Sequence, residues 1–177
     1  MNPNASIFIV TGPPGAGKTS VARQLAGRFE PGLHIPVDDL RDWVVSGKAE
    51  PIPVLTPQAA GQLRLARAVA GSMARLYAQN GFTAVIDDVL ASADLQALSL
   101  GDQPVHKLFL RPSFDHVIAR NIERYSQFDA RQWGPVIQRI YDDLSAHNTP
   151  AGGWTVLDTS AWSIEQTVDA ILQSGGY

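Results

Sequence analysis

The octapeptide Gly12-Pro13-Pro14-Gly15-Ala16-Gly17-Lys18-Thr19 constrains this chain more than any other stretch. It fits the pattern Gly-x-x-x-x-Gly-Lys-Ser/Thr in full. Glycines at 15 and 17 let backbone N–H groups close around phosphate oxygens, Lys18 brings a cation to the outer phosphates, and Thr19 offers a hydroxyl to Mg²⁺. The flanks agree with that reading. The apolar run Ser6 to Val10 before it reads as a buried strand. Val21, Ala22, Leu25, Ala26 and Phe29 after it recur at helical spacing, up to a break at Glu30-Pro31-Gly32. A strand, a glycine-rich turn and a helix whose amino end adds its dipole together make a phosphate cradle. Gly12 to Thr19, with Ser20, are the expected nucleotide-contacting residues.

The rest of the chain repeats this alternation. Leu33–Val37 reads as a second strand, at an edge because Pro36 cannot donate to a ladder. A helix is expected from Asp38 to about Ser46, then a proline-rich loop from Gly47 to Pro57. A long helix follows from Gln58 to Asn80, with Leu63, Ala66, Ala70, Met73 and Leu76-Tyr77 on its apolar side. Strands are expected at Phe82–Ile86, Val105–Leu110 and Thr155–Asp158, and helices at Ser113–Arg124, Pro135–Ala146 and Ile164–Leu172. Strands alternating with helices imply a parallel sheet with right-handed crossovers, in one α/β domain spanning residues 1–177. Ligands of such sheets gather outside the carboxyl ends of the strands, and Asp38-Asp39, Asp87-Asp88, Arg111 and Asp158 all fall there.

Those residue types suit phosphoryl transfer. A carboxylate after an apolar strand supports Mg²⁺ in loops of this kind, and Asp87, directly after Ile86, is the preferred candidate. Asp88 is then left to orient loops or substrate. Asp38 sits where the second strand becomes a helix, where a carboxylate can orient an attacking hydroxyl or take its proton; aspartate also suits an N-cap, and Asp39 is the reserve. Arg120 and Arg124 share one helix face. Arg120 is assigned to the nucleotide and Arg124 to the charge that develops on the transferring group. The segment of about residues 125–132 reads as a lid that excludes water. Arg41 and Trp43, just past Asp38, are candidates for the acceptor pocket. The four histidines, His34, His106, His116 and His147, show no metal-ligand spacing and are read as core, capping or surface residues.

Composition bounds the partners. With 177 residues, 45% hydrophobic and 18% charged, and a formal charge of −3, the chain suits a globular domain with no general pull toward nucleic acid or an anionic membrane. It has no cysteine, so disulfides and thiolate chemistry are excluded. No apolar run approaches the ~20 residues a membrane helix needs. The uncharged first residues lead straight into a strand, so no signal peptide is expected and the cytoplasm is the expected compartment.

Gly12 to Ser20, Leu33-His34 with Val37-Asp38, Ala84 to Val89, and the spacing of Arg111, Arg120 and Arg124 resemble the P-loop kinases, and among them the chloramphenicol phosphotransferase-like proteins. The resemblance spans residue 6 to the final helix. It implies a three-layer P-loop NTPase fold, a five-stranded parallel sheet in the order 2-3-1-4-5, with ATP and Mg²⁺ at its carboxyl edge. It also implies a catalytic aspartate at Asp38 and a lid arginine at Arg124. The loop Gly47 to Pro57, the second acid Asp39 and the lid residues depart from that family, so zeta-toxin-like, gluconate and shikimate kinases are also relevant relatives. The expected activity is transfer of the terminal phosphate of ATP to a hydroxyl of a small molecule, antibiotic- or sugar-like. Two alternatives stand beside it. One is a nucleotide, nucleoside or polynucleotide-end kinase using Arg41, Arg64 and Arg67; the other is a non-enzymatic nucleotide-binding switch. Oligomeric state is not legible.

Overall fold

The computed structural model describes residues 5–124 and 129–175. Its centre is a five-stranded parallel sheet in the order β2-β3-β1-β4-β5, the order the resemblance implies. The strands are β1 (Ile7–Thr11), β2 (Gly32–Pro36), β3 (Thr83–Asp88), β4 (Val105–Leu110) and β5 (Trp154–Leu157). Every residue of β1 and β3 is buried, as central strands covered on both faces should be, including Thr11, Thr83, Asp87 and Asp88. Pro36 ends the edge strand β2, where its missing N–H costs no central ladder bond.

Alternation along β1 divides the core in two. Ile7 and Ile9 face a cluster with Ala66, Ala70 and Ala74 of α3 (Pro57–Gln79) and Leu144 of α5 (Ala130–His147). Phe8 and Val10 face Val21, Ala22 and Leu25 of α1 (Lys18–Ala26) and Val168 and Ile171 of α6 (Ile164–Gly175). The short α2 (Val37–Asp42) follows β2, and α4 (Phe114–Arg124) follows β4. Among the described residues no helix is long and apolar enough to cross a membrane.

Several expected boundaries move, each for a local reason. Helix α1 stops at Ala26, where Gly27 caps it, and Phe29 reaches Phe8 from outside the helix at 5.5 Å between rings. Helix α2 ends at Asp42, four residues short of Ser46. Helix α5 starts at Ala130 because the Asp129 carboxylate accepts from the Arg131 N–H at 2.8 Å; Pro135 therefore lies inside it. The last part of the expected lid is thus the first turn of α5, and Tyr125 to Phe128 lie outside the described residues.

The inner face of α3 also differs. It is a stripe of small residues, Ala66, Ala70, Gly71, Ala74 and Ala78, with Met73 packed beside it. Leu76 and Tyr77 point outward, 60% and 38% exposed. A 3₁₀ helix at Ser92–Leu98, absent from the sequence reading, lies so close that a Cβ on Gly71 would fall on the Leu98 carbonyl. Only small side chains fit that approach.

Candidate functional site

Five strand ends deliver the site. After β1, the chain turns through Gly12, where a Cβ would come within 2.7 Å of the Leu110 carbonyl of β4. The turn closes on Ala16 N–H to the Pro13 carbonyl, 3.0 Å. Gly15 and Gly17 take φ of 89° and 90°, a region L side chains rarely adopt. Gly17 is the N-cap of α1 and provides no side-chain cap, so the first N–H groups of the helix face the loop without a side-chain acceptor. That is the donor arrangement an anion needs.

Lys18 folds back over the loop, donating to the Pro13 carbonyl at 3.1 Å. Burial pulls its ammonium below the usual lysine value, against the opposing charges of Asp87, Asp38 and Asp88; Arg124 adds to the depression. Three acids and one arginine, from α2, β3 and α4, therefore act on one cation.

Helix α4 braces the loop from above. Buried Asn121 donates to the Pro14 carbonyl at 3.0 Å and to Val117 at 2.8 Å, while Arg120 reaches the Ala16 carbonyl at 3.4 Å. A Cβ on Gly15 would stand 2.4 Å from the Asn121 amide nitrogen, so helix and loop fit only with glycine there. Asn121 was not singled out in the sequence, although its neighbour Arg120 was.

The paired acids part ways. Thr19 Oγ1 donates to Asp87 Oδ1 at 3.1 Å, and His34 Nε2 holds Asp87 Oδ2 at 2.5 Å. Asp88 faces Arg67 instead, at 2.6 Å, and accepts from the Val89 N–H at 2.8 Å. Burial pushes the Asp88 carboxyl up and Arg67 pulls it back. Arg67 also bonds Val89 O and Asp94, so α3, β3 and the 3₁₀ turn are tied through one buried guanidinium. A hydroxyl and a carboxylate beside a phosphate cradle are hard oxygen donors that fit Mg²⁺, which takes few protein ligands and completes its shell with phosphate and water.

On the other side of the cleft, Asp38 opens α2 with its side chain 73% exposed. Arg41 holds it at 3.1 Å and is itself buried, bonding the Ala49 carbonyl and Glu50. Arg41 therefore faces inward. Lys48 bridges Asp42 and Glu50, and Gln62 bonds both Ala49 N–H and Gly47 O. With its charges turned on one another, this segment leaves Trp43, Val45, Val54 and Leu55 in solvent. Asp39 and Arg124 are exposed as well.

A cavity of about 410 Å³ opens beside the loop, lined by Gly17, Ser20, Arg120, Thr159, Trp162 and Thr167 among others. The buried hydroxyl of Thr159 has no hydrogen-bond partner among the described residues. Nothing local in the sequence marks Thr159 or Trp162, because only the sheet order brings the end of β5 to the loop.

Residues 7–141 match the AAA domain family. This chain belongs to that family. No curated protein matches it in sequence. Among solved structures, this AAA domain is similar to a gluconokinase from Sinorhizobium meliloti, with 21% identity, TM-score 0.69, and 98% of this chain and 92% of that one covered. It is also similar to a sugar kinase from Janibacter, with 21% identity, TM-score 0.67, and coverage of 96% and 93%. At that identity the likeness is one of fold, the P-loop NTPase fold. The AAA domain here contributes a phosphate cradle, a hydroxyl–carboxylate pair and an exposed acid to one sheet edge.

Proposed function

We propose that the protein is an ATP- and Mg²⁺-dependent kinase that transfers the terminal phosphate of ATP to a hydroxyl of a small molecule. The observation that carries this reading is Asp38. Asp87 and Asp88 are buried and spoken for, whereas Asp38 stands in solvent, fixed by Arg41, close enough for Lys18 to feel its charge. An exposed acid facing a phosphate cradle is what an incoming hydroxyl requires and what a nucleotide switch does not. The likeness to a gluconokinase and a sugar kinase supports a small hydroxylated acceptor.

In this reading the loop amides and Lys18 hold the phosphates, and the cavity at Thr159 and Trp162 takes the nucleoside. Thr19 and Asp87 hold Mg²⁺, which supplies charge neutralisation on the transferring group when bound. Asp38 orients the acceptor hydroxyl and takes its proton, while Arg120 and Arg124 meet the developing negative charge. Catalysis of this kind is chiefly positioning and electrostatics. Such a reaction belongs in the cytoplasm, where ATP is. A polynucleotide end is a poorer acceptor here, because Arg41 and Arg67 are themselves buried and already paired with Asp38 and Asp88.

The test is an ADP-release screen over sugars, nucleosides, hydroxy acids and hydroxylated antibiotics, with Lys18→Ala as the blank. On the acceptor found, Asp38→Asn should lower kcat by about 10²–10⁴ with ATP affinity unchanged. Full turnover in Asp38→Asn would remove the base assignment. Tight ATP binding without transfer to any acceptor would favour a nucleotide-responsive binder.

A further inference from the structure

His34 lies on the edge strand β2 and pairs in register with Val85, so Asp87 is two positions further along β3 on the same side of the sheet. Its ring is largely covered, and Nε2 meets Asp87 Oδ2 at 2.5 Å. A carboxylate offers only acceptors, so Nε2 carries the hydrogen. The other oxygen, Oδ1, accepts from Thr19. Asp87 is thus gripped at both oxygens, one by the cradle's threonine and one by the histidine.

The terminal torsion of an aspartate is soft, and a carboxylate held at one oxygen turns readily. A second fixed donor locks its plane. The sheet does not need this contact: β2 and β3 already run in register from Gly32 with Thr83 to Pro36 with Asp87. We propose that His34 is a positioning residue, whose Nε2–H pins Oδ2 of Asp87 so that Oδ1 stays beside Thr19, aimed at the metal. The proposal rests on Thr19 and Asp87 being the Mg²⁺ side chains. Partners of ligating groups commonly set metal affinity by tenfold or more.

The test is Mn²⁺ binding to the protein–ADP complex, followed by electron paramagnetic resonance, in wild type, His34→Ala, His34→Leu and His34→Gln. Leucine fills the ring's space without a donor, alanine leaves room for water, and glutamine returns an N–H at similar reach. Either donor-free variant should weaken Mn²⁺ about tenfold or more, while glutamine stays within about threefold of wild type. Metal-free ADP affinity should move little in any of them, and melting without metal should not track the Mn²⁺ loss. Wild-type Mn²⁺ affinity in His34→Ala or His34→Leu would overturn the proposal. So would equal loss in His34→Gln, which would make the ring's packing, not its donor, the cause. If wild type itself takes up no Mn²⁺ with ADP, the metal reading of Thr19 and Asp87 fails first, and this proposal falls with it.

Discussion

Replacing Gly15 by alanine separates two costs that the phosphate cradle imposes on its backbone. The residue sits at φ 89°, which disfavours any L side chain by about 1–2 kcal/mol. The new methyl would also stand 2.4 Å from Asn121 Nδ2 and 2.8 Å from the Val117 carbonyl. The carbonyl belongs to α4 and cannot swing aside, so overpacking adds roughly 1–3 kcal/mol. Gly17 provides the comparison: its φ is 90°, but the nearest atom to a Cβ is Arg120 Nη1 at 3.9 Å. Gly17→Ala should therefore cost only the strain, about 1–2 kcal/mol. Gly15→Ala should cost roughly 2–5 kcal/mol, which at about 2–4 °C per kcal/mol for a chain this size separates the two melts by several degrees. Gly134, inside α5 with nothing within 4 Å of a Cβ among the described residues, is the opposite control, and alanine there should gain up to about 1 kcal/mol. Circular dichroism melts give the stabilities, and a fluorescent ADP titration asks whether pushing α4 away, with Arg120 and Arg124 on it, also weakens nucleotide binding. Equal melts for Gly15→Ala and Gly17→Ala would refute the claim that α4 braces the loop.

Two further outcomes follow from buried charge. Lys18 is held below its usual pKa by burial, and a bound polyphosphate must raise it again. The complex then binds more protons than the free protein, so ADP affinity should fall as pH rises through the interval between the two pKa values; calorimetry in buffers of different ionisation enthalpy should show proton uptake on binding, and none in Lys18→Met. Removing the guanidinium in Arg67→Leu strands the Asp88 carboxylate in the interior at a cost of about 3–5 kcal/mol. Burial then raises the folded pKa of Asp88 further above its unfolded value, so stability falls with rising pH. The deficit measured by urea unfolding should be smaller at pH 5 than at pH 8 and should shrink in the double variant with Asp88→Asn.

The fold was legible wherever one residue's own constraints decided the matter. Short, largely apolar runs marked β1 and β3, and Pro36 marked an edge. Bulk hydrophobicity misled on α3, because the face that meets the sheet was chosen for smallness: Gly71 yields to Leu98, and Leu76 is left in solvent. The start of α5 was misplaced because proline is a strong local signal, while the Asp129 cap six residues upstream of the segment's apparent start is a weak one.

The site divides along the same line. Its glycines, Lys18 and Thr19 are readable because the backbone and the phosphate dictate them together. His34 and Asn121 are not, since each acts on a residue far away in sequence, across 53 positions for His34 and Asp87 and 107 for Asn121 and Pro14. Topology supplies what local pattern lacks: once β2 is placed beside β3, the register sets His34 opposite Val85, on the same side of the sheet as Asp87 two positions on, and its side chain reaches the rest of the way. Arginines pose the harder problem. Arg41, Arg64 and Arg67 look alike in sequence as phosphate-binding groups, yet Arg41 and Arg67 are buried among acids and only Arg64 is exposed. Arg41 is engaged by Asp38 and Glu50, and Arg67 by Asp88 and Asp94. Which arginine reaches solvent is decided by which acids the fold brings to it, and that pairing is not written in the local sequence.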